Sequence, residues 1–176
     1  MLTRANPPAS IEERLVQRAA GGDRAAFGEL YTRYARVVHS VLLARVRWGD
    51  AEDLMQDVFL TALSRLSQLR DQSSFGSWLC TIARHRACDY HRAQPEVDEI
   101  RDDSLKSRPA PPEAIAAMEA IRSLPESYRE TLLLRLVEGM TGPEIAHRTG
   151  LKHESVRVNL CRGMKMLREK IEGKQL

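Results

Sequence analysis

Hydrophobic residues recur along most of this chain three or four positions apart, the spacing that gathers side chains on one face of an α-helix. Polar and charged residues fill the positions between them. One such stripe follows residue 23, and it includes Phe27, Leu30, Tyr31, Tyr34, Val38 and Leu42. The pattern predicts an all-α protein.

Helix-capping residues divide the first half of the chain into four predicted helices. Ser10 and Glu13 have the spacing of a capping box, and Asp23 can cap the helix that follows. The segment Trp48-Gly49-Asp50 is expected to break the chain between the second and third helices. The predicted helices cover about residues 11–20, 24–47, 51–66 and 75–92.

The last third of the chain predicts four further helices. Pro125 fits the first turn of a helix, because the N–H group that proline lacks would be unpaired there in any residue. Thr141 and Glu144 form a second capping box, and Gly150 is expected to make a tight turn. These helices are expected over about residues 112–122, 125–138, 142–149 and 153–171.

Residues 93–112, between the two sets of helices, have no helical periodicity. They contain four of the eight prolines, together with five acids and three bases. This composition is typical of a flexible linker. The sequence therefore predicts two small helical modules, residues 1–92 and 113–176, joined by a linker over residues 93–112.

Charge is unevenly distributed, although the net charge is only +3. Residues 146–170 carry seven cations and two acids, whereas residues 50–57 carry four acids and no base. A positive surface suits nucleic acid, and a separate negative surface suits a different, basic partner.

Other features restrict the class of protein. Cys80, Cys88 and Cys161 have no CxxC spacing, which argues against a disulfide framework or a zinc site and favours reduced thiols. No signal peptide, membrane-spanning run, phosphate-binding loop or nucleophile motif is evident. We therefore expect a cytoplasmic protein that is not an enzyme and that uses no cofactor, metal or small-molecule substrate.

A helix-turn-helix is indicated by the spacing of Ile145, Ala146, Gly150 and Val156. A small residue lets two helices cross closely, and glycine permits the turn between them. The second helix would present basic residues to the major groove of DNA. Its buried face is expected to hold Val156, Leu160, Met164, Leu167 and Ile171. The alternative is a helical hairpin with a solvated basic face.

Residues 75–92 alternate aromatic and basic side chains on one predicted helix. Aromatic rings can stack on unpaired bases, and arginines can hold the backbone of single-stranded DNA. The alternative places the apolar side chains in the core, and we expect this for most of Phe75, Trp78, Leu79 and Ile82. The basic residues and the polar loop before the helix would then contact DNA.

The acidic segment at residues 50–57 has three possible roles. Asp53 and Asp57 lie four residues apart and share a helix face. That face could be merely solvated, bind a metal, or dock a basic partner. The histidines nearby, His39, His85 and His91, have no recognisable ligand spacing, which disfavours a metal.

These segments, in this order, resemble two conserved regions of the sigma-70 family. Residues 23–34, 50–59 and 75–92 are similar to the second region, and residues 124–171 are similar to the fourth. The short linker is typical of the extracytoplasmic-function (ECF) group. The resemblance covers about residues 11–172 and implies a bacterial transcription initiation factor.

The resemblance also implies a role for each segment. The acidic helix is similar to the one that docks on the clamp helices of the polymerase β′ subunit, with Asp50, Glu52, Asp53, Gln56 and Asp57 as the implied contacts. Residues 70–74 resemble the loop that captures a flipped base of the -10 element, and the next helix resembles the one that reads and melts it. The implied -10 contacts are Arg70, Asp71, Gln72, Ser73, Ser74, Trp78, Arg84, His85, Arg86 and Arg92.

The final helix resembles the reader of the -35 element. Its implied contacts are Lys152, His153, Glu154, Ser155, Arg157, Val158, Arg162 and Lys165. Three features depart from the family pattern, and one of them is Gly142-Pro143, although proline fits a first helical turn. Lys152 stands where many relatives have a capping Ser or Thr and cannot accept that hydrogen bond, so Glu154 or Ser155 would have to help. Asn159 occupies a position that is often basic.

The implied function is that of an ECF sigma factor. It would bind core RNA polymerase through the β′ clamp helices and the β subunit, recognise the -10 and -35 promoter elements and promote DNA opening, under control of an anti-sigma factor. One alternative is a helix-turn-helix regulator that binds duplex DNA as a dimer without polymerase. Another is a metal-dependent enzyme that acts on nucleic acid through Asp50, Asp53 and Asp57.

Overall fold

Every element that the structure describes is helical, as the sequence predicts. The computed structural model describes residues 10–93 and 112–173. The N-terminal module comprises α1 (Ile11–Ala20), α2 (Arg24–Leu43), α3 (Trp48–Arg65) and α4 (Phe75–Ala93), with short 3-10 helices at Leu66–Gln68 and Gln72–Ser74. The C-terminal module comprises α5 (Pro112–Arg122), α6 (Glu126–Leu136), α7 (Gly142–Thr149) and α8 (His153–Glu172). Residues 94–111 of the predicted linker lie outside the described residues.

The predicted helix caps are present. The Ser10 hydroxyl accepts a hydrogen bond from the Glu13 backbone N–H at 3.1 Å, and the Glu13 carboxylate accepts one from the Ser10 N–H at 2.9 Å. Thr141 and Glu144 make the same reciprocal pair at the start of α7. Each box pairs donors that a helix N-terminus otherwise leaves open, which is why these ends could be predicted locally.

Three predicted helix boundaries are wrong. Trp48-Gly49-Asp50 does not break the chain, because α3 begins at Trp48 and α2 already ends at Leu43. Tertiary contacts hold this first turn of α3: the Trp48 ring packs edge-on against His39, and the Asp50 carboxylate accepts a hydrogen bond from the Tyr90 hydroxyl. Pro125 is the N-cap of α6 rather than part of its first turn, and α6 ends at Leu136 instead of residue 138.

The core of the N-terminal module surrounds α2. The Tyr34 ring of α2 packs edge-on against Phe75 of α4 at a centroid distance of 5.2 Å. Tyr31 was predicted in the buried stripe, but it is exposed at its edge and packs against the Phe59 ring at 4.6 Å. The fully buried side chains of this core include Leu30, Val38, Leu42, Val58 and Leu79. Burial of such aliphatic surface is the main stabilising contribution in a helical module.

The C-terminal core differs from the prediction along α8. Val156 and Leu167 are buried as expected, but Met164 and Ile171 are 36% and 41% exposed. The buried face instead passes through Gly163, where an added Cβ would lie 3.0 Å from a Leu132 methyl group. Helix α6 approaches α8 so closely here that a larger residue would require Leu132 to shift by a few tenths of an ångström, and Met164 is turned toward solvent.

The two modules pack against each other, which the sequence did not predict. Helices α6 and α7 lie against α2 and α4. An added Cβ on Gly76 of α4 would lie 2.9 Å from the carbonyl oxygen of Arg148 in α7. The Arg148 guanidinium in turn lies over the Tyr34 ring, 4.8 Å from its centroid. The described helices therefore form one packed body with a polar and tightly fitted internal boundary.

Two glycines provide a matched test of the backbone. Gly150 has a φ of 71°, and an added Cβ would lie 2.5 Å from the Ser77 Cβ, whereas Gly28 lies in α2 with open space around it. We expect Gly150→Ala to lower the free energy of unfolding by about 1–2 kcal/mol, because an L-residue is strained in this region. Gly28→Ala should raise it by about 1 kcal/mol, since alanine favours the helix.

Urea unfolding followed by far-ultraviolet circular dichroism measures both effects. Opposite shifts of the two variants support the described turn. A stabilising or neutral Gly150→Ala would contradict the left-handed conformation at this position.

Candidate DNA and polymerase interfaces

Helix α3 presents its predicted polar face to solvent. Asp53, Gln56 and Asp57 are all exposed, and their spacing places them along one side of the helix. Glu52 is exposed as well. Asp50 differs from the others, because it is half-buried and its carboxylate accepts a hydrogen bond from the Tyr90 hydroxyl at 2.7 Å. The structure gives Asp50 a role in joining α3 to α4.

Apolar side chains extend this face, and the sequence reasoning missed them. Leu60 is 65% exposed one turn beyond Asp57, and Leu63 is 47% exposed beside it. The available signal was their position off the buried line that Val58 and Ala62 define. We call Asp53, Gln56, Asp57 and Leu60 the α3 docking face. It combines negative charge with an apolar contact, which suits a partner with a basic and partly apolar surface.

The loop before α4 is held in a defined shape. The Asp71 carboxylate accepts hydrogen bonds from the Ser73 backbone N–H at 3.0 Å and from the Ser73 hydroxyl at 2.7 Å. The Ser74 hydroxyl donates to the Asp71 carbonyl oxygen at 2.7 Å. Asp71 therefore braces the loop, while Arg70 and Ser73 lie exposed on its surface.

Most of the apolar side chains of α4 face the core, as expected. Phe75 and Leu79 are fully buried, Ile82 is half-buried, and Trp78 is half-buried against the Phe75 ring. The basic side chains have different environments. His85 and Arg92 are exposed, whereas the Arg86 guanidinium donates a hydrogen bond to the Thr61 hydroxyl at 2.8 Å.

Arg84 is not on the open surface. Its guanidinium forms a bidentate ion pair with the Glu130 carboxylate of α6, donating two hydrogen bonds at 2.7 and 3.2 Å. It also donates a hydrogen bond to the Thr149 carbonyl oxygen at 3.2 Å. Burial lowers the pKa of Arg84, but the hydrogen bond and the charge of Glu130 outweigh it and raise that pKa above its ordinary value. Arg84 is therefore a charged, paired residue in this arrangement.

The predicted -35 contacts lie on one exposed part of α8. Lys152 is the N-cap, and its side chain makes no capping hydrogen bond, as predicted. Asn159 is explained by packing, because its amide donates to the Ser127 carbonyl oxygen at 2.9 Å and so links α8 to α6. The exposed residues are Lys152, His153, Glu154, Ser155, Arg157, Val158, Arg162 and Lys165.

An open groove lies on the C-terminal module beside this surface. Leu136 of α6 and Leu160 and Met164 of α8 contribute apolar walls. The basic side chains of Lys165 and Arg168 lie at the same groove. An amphipathic helix that carries acidic residues would match this combination. Lys165, predicted as a DNA contact, therefore lies where a protein partner could also reach it.

No metal site is found in the part of the chain that the structure describes. Among those residues, no group of three or more His, Cys, Asp or Glu side chains could hold an ion. None of the described helices is both long and apolar enough to cross a membrane.

Comparison with known proteins assigns both modules. The model of sigma-70 region 2 matches residues 30–95, and the model of sigma-70 region 4 matches residues 114–167. The chain belongs to the sigma-70 family. The ECF RNA polymerase sigma-E factor of Escherichia coli K12 is 31% identical to this sigma factor. The similarity covers 92% of this chain and 94% of the relative.

Two further similarities agree. A probable RNA polymerase sigma factor, RfaY, of Xanthomonas campestris is 33% identical over 87% of this sigma factor, which spans 42% of that longer relative. The structure of the sigma factor RpoE from Bartonella quintana, solved with the anti-sigma factor NepR, has a TM-score of 0.61. It covers 82% of this chain and 97% of that one at 19% identity, so it shows the shared fold.

This sigma factor is of the ECF type. It binds core RNA polymerase, recognises the -10 and -35 promoter elements and promotes DNA opening for transcription initiation. The regions fall on the modules as the sequence predicts, with region 2 on α2–α4 and region 4 on α5–α8.

The three thiols should differ in reactivity. Cys88 and Cys161 are exposed, whereas Cys80 is buried where α4 meets α7, with its Sγ 3.5 Å from the Arg148 carbonyl oxygen. Burial raises the pKa of Cys80 to about 12. In mildly alkaline buffer we expect two thiols to react quickly with a thiol reagent and the third only after urea unfolding, because the thiolate is the reactive form. Rapid reaction of all three would show that α7 does not cover Cys80.

Proposed function

We propose that three separate surfaces of this sigma factor divide the work of initiation. The α3 docking face binds the β′ clamp helices of polymerase. The loop at residues 70–74 and the exposed side of α4 bind the -10 element, and the first two turns of α8 bind the -35 element. The observation that carries the proposal is that each of the three surfaces is exposed and polar although each lies beside a packed core.

Polymerase docking rests on both charge and shape. Asp53 and Asp57 are exposed carboxylates one helical turn apart, and Leu60 continues the same side of α3. Opposite charges guide the approach of a basic partner, and a buried apolar side chain at the centre contributes most of the affinity. Asp50 is left out of this face because Tyr90 holds its carboxylate.

Recognition of the -10 element uses the braced loop. Taking a base out of the DNA stack costs a few kcal/mol, which contacts to the flipped base must repay. A loop already ordered by Asp71 loses little conformational entropy on binding, so more of the contact energy remains for the DNA. We assign the base pocket to this loop, and the single-stranded backbone to His85 and Arg92.

Recognition of the -35 element uses the start of α8. In a helix-turn-helix the N-terminal residues of the second helix contact base edges, and cations farther along hold phosphates. His153 and Glu154 occupy the first of these zones, and the cations Arg157 and Arg162 the second.

Partners beyond DNA follow from the same surfaces. We assign the groove lined by Leu136, Leu160 and Met164 to the polymerase β subunit, because its basic rim complements an acidic helix. An anti-sigma factor, as found with RpoE of Bartonella quintana, would act by covering such polymerase-binding surfaces. We place the protein in the bacterial cytoplasm, where its partners are, and assign the chemistry of RNA synthesis to polymerase. The domain limits remain 1–92, 93–112 and 113–176.

The docking face is tested by Asp53→Ala/Asp57→Ala in run-off transcription with core polymerase on a pool of genomic promoter fragments. We expect factor-dependent start sites with the unchanged protein. In the variant, core affinity should be weakened by about tenfold or more, because removal of the two carboxylates leaves basic groups of the partner unpaired at the interface. Glu29→Ala/Glu119→Ala removes two exposed acids elsewhere and should leave transcription unchanged. Equal activity of the two double variants would count against the docking face.

The -35 reader is tested by Arg157→Ala/Arg162→Ala. We measure the promoter affinity of the holoenzyme at several salt concentrations and plot its logarithm against the logarithm of the salt concentration. The slope of this plot should become shallower by about two units if each arginine neutralises one phosphate. Arg14→Ala/Arg24→Ala alters two exposed arginines of the N-terminal module and serves as the control. An unchanged slope in the α8 variant would remove these residues from the DNA interface. Palindrome binding without polymerase would instead favour the dimeric regulator.

A further inference from the structure

The two DNA readers lie side by side in this structure. Gly150, just before α8, is so close to α4 that an added Cβ would lie 2.5 Å from the Ser77 Cβ. Ser77 in turn lies in the first turn of α4, directly after the loop at residues 70–74. From chain and helix dimensions, that loop and the start of α8 are within about 20 Å of each other.

The promoter elements are much farther apart. The centres of elements at -10 and -35 are separated by about 25 base pairs, or about 85 Å of duplex at the usual helical rise. A compact chain of this length is only about 40 Å across. One molecule in the described arrangement cannot therefore place both readers on one promoter, and the modules must separate first.

An ion cluster at the boundary joins the modules. The Glu130 carboxylate of α6 contacts the Arg84 guanidinium at 2.7 Å and the Arg45 guanidinium at 2.8 Å. The Glu130 side chain is only 5% exposed, and both arginines belong to the N-terminal module. A carboxylate buried so completely is stable there only while its partners remain in place.

A second acid of the C-terminal module makes a similar contact. The Glu138 carboxylate, just beyond the end of α6, lies 2.7 Å from the Arg36 guanidinium and accepts a hydrogen bond from the Ser40 hydroxyl at 3.1 Å. Its side chain is 8% exposed. Both residues that it contacts lie on α2, so α6 is held to the N-terminal module near its middle, at Glu130, and again just beyond its C-terminal end.

We infer that Glu130 and Glu138 hold the free sigma factor in a closed arrangement that must open before promoter binding. In this arrangement Arg84, an expected -10 contact, is already occupied by Glu130 and by the Thr149 carbonyl oxygen. Closure and use of Arg84 on DNA are therefore mutually exclusive. The inference rests on the proposed function, because it takes the -10 and -35 readers to be where we assign them.

The closed arrangement sets a threshold for binding. If only a small fraction of free molecules is open, the apparent affinity for any partner that needs the open form is reduced by that fraction. A variant that favours the open form should bind that partner more tightly without any new contact. Polymerase and promoter would select the open form and shift the population toward it.

Spin labels placed away from the proposed binding surfaces allow a direct test in the full chain. Cys88 lies on the exposed side of α4, and Cys161 lines the groove of the C-terminal module, so all three cysteines are replaced by serine. The labels are attached at Gln17→Cys of α1 and Glu172→Cys of α8, two exposed positions, one in each module. Pulsed electron–electron double resonance then measures the distance between the two spin labels, and so between the modules. Glu130→Gln/Glu138→Gln is the test variant. Glu119→Gln/Glu169→Gln, which changes the charge of two exposed acids by the same amount, is the control.

We expect one narrow distance distribution in the unchanged protein and in the control. The test variant should show a broader distribution that extends to longer distances, with helical content retained. The holoenzyme on promoter DNA should show only long distances. The test variant should also bind core polymerase about threefold or more tightly, because less of it must open.

Two results would overturn the inference. Free, unchanged protein with the same long distances as the promoter complex would mean that it is not closed. A narrow distribution retained in the test variant would mean that these acids do not hold it closed. Failure of the proposed function is distinguishable, since it would appear as missing factor-dependent transcripts while the distances in the free protein stay as measured.

Discussion

The placement of one carboxylate determines which parts of this molecule are free to bind. Glu130 is buried between Arg84 and Arg45, and a buried charge requires its partners to stay close. Because both arginines lie in the other module, satisfying Glu130 brings α6 and α7 onto α2 and α4. The fit of Gly76 and Gly150 against their neighbours is possible only in that arrangement.

The surfaces that remain outside this boundary match the tasks of an ECF sigma factor. The acids of the α3 docking face and the basic start of α8 stay exposed while the modules are together, but Arg84 does not. Polymerase docking and DNA reading are therefore separated in the structure. Contact of the α3 docking face with polymerase can come first, whereas full engagement of polymerase by both modules, and of the -10 element, requires separation of the modules.

Local chemistry explains why much of the fold could be predicted from the sequence. Capping boxes at Ser10 and Thr141 and the turn at Gly150 involve residues a few positions apart, so their patterns are visible in the chain. The errors came from long-range contacts. Tyr90 and His39 fix the first turn of α3 at Trp48 and Asp50, where a break was expected.

The candidate sites show the same division. Exposure of the acidic face and of the α8 contacts follows from helical periodicity, whereas the partners of Arg84 and Arg148 lie on helices distant in sequence. Arg148 belongs to the positively charged stretch at residues 146–170, but its guanidinium packs on the Tyr34 ring. Leu60 was missed because an exposed leucine has meaning only once the buried side of α3 is known.

Footprinting of the holoenzyme tests the central claim most directly, that one chain holds two promoter elements through two separated modules. Hydroxyl-radical cleavage reports protected backbone, and permanganate reports unpaired thymines. With the holoenzyme we expect two protected regions centred about 25 base pairs apart, a span of about 85 Å, and unpaired thymines only in the downstream region. Core polymerase alone should give neither. A single protected region, or a symmetric footprint formed without polymerase, would contradict the claim.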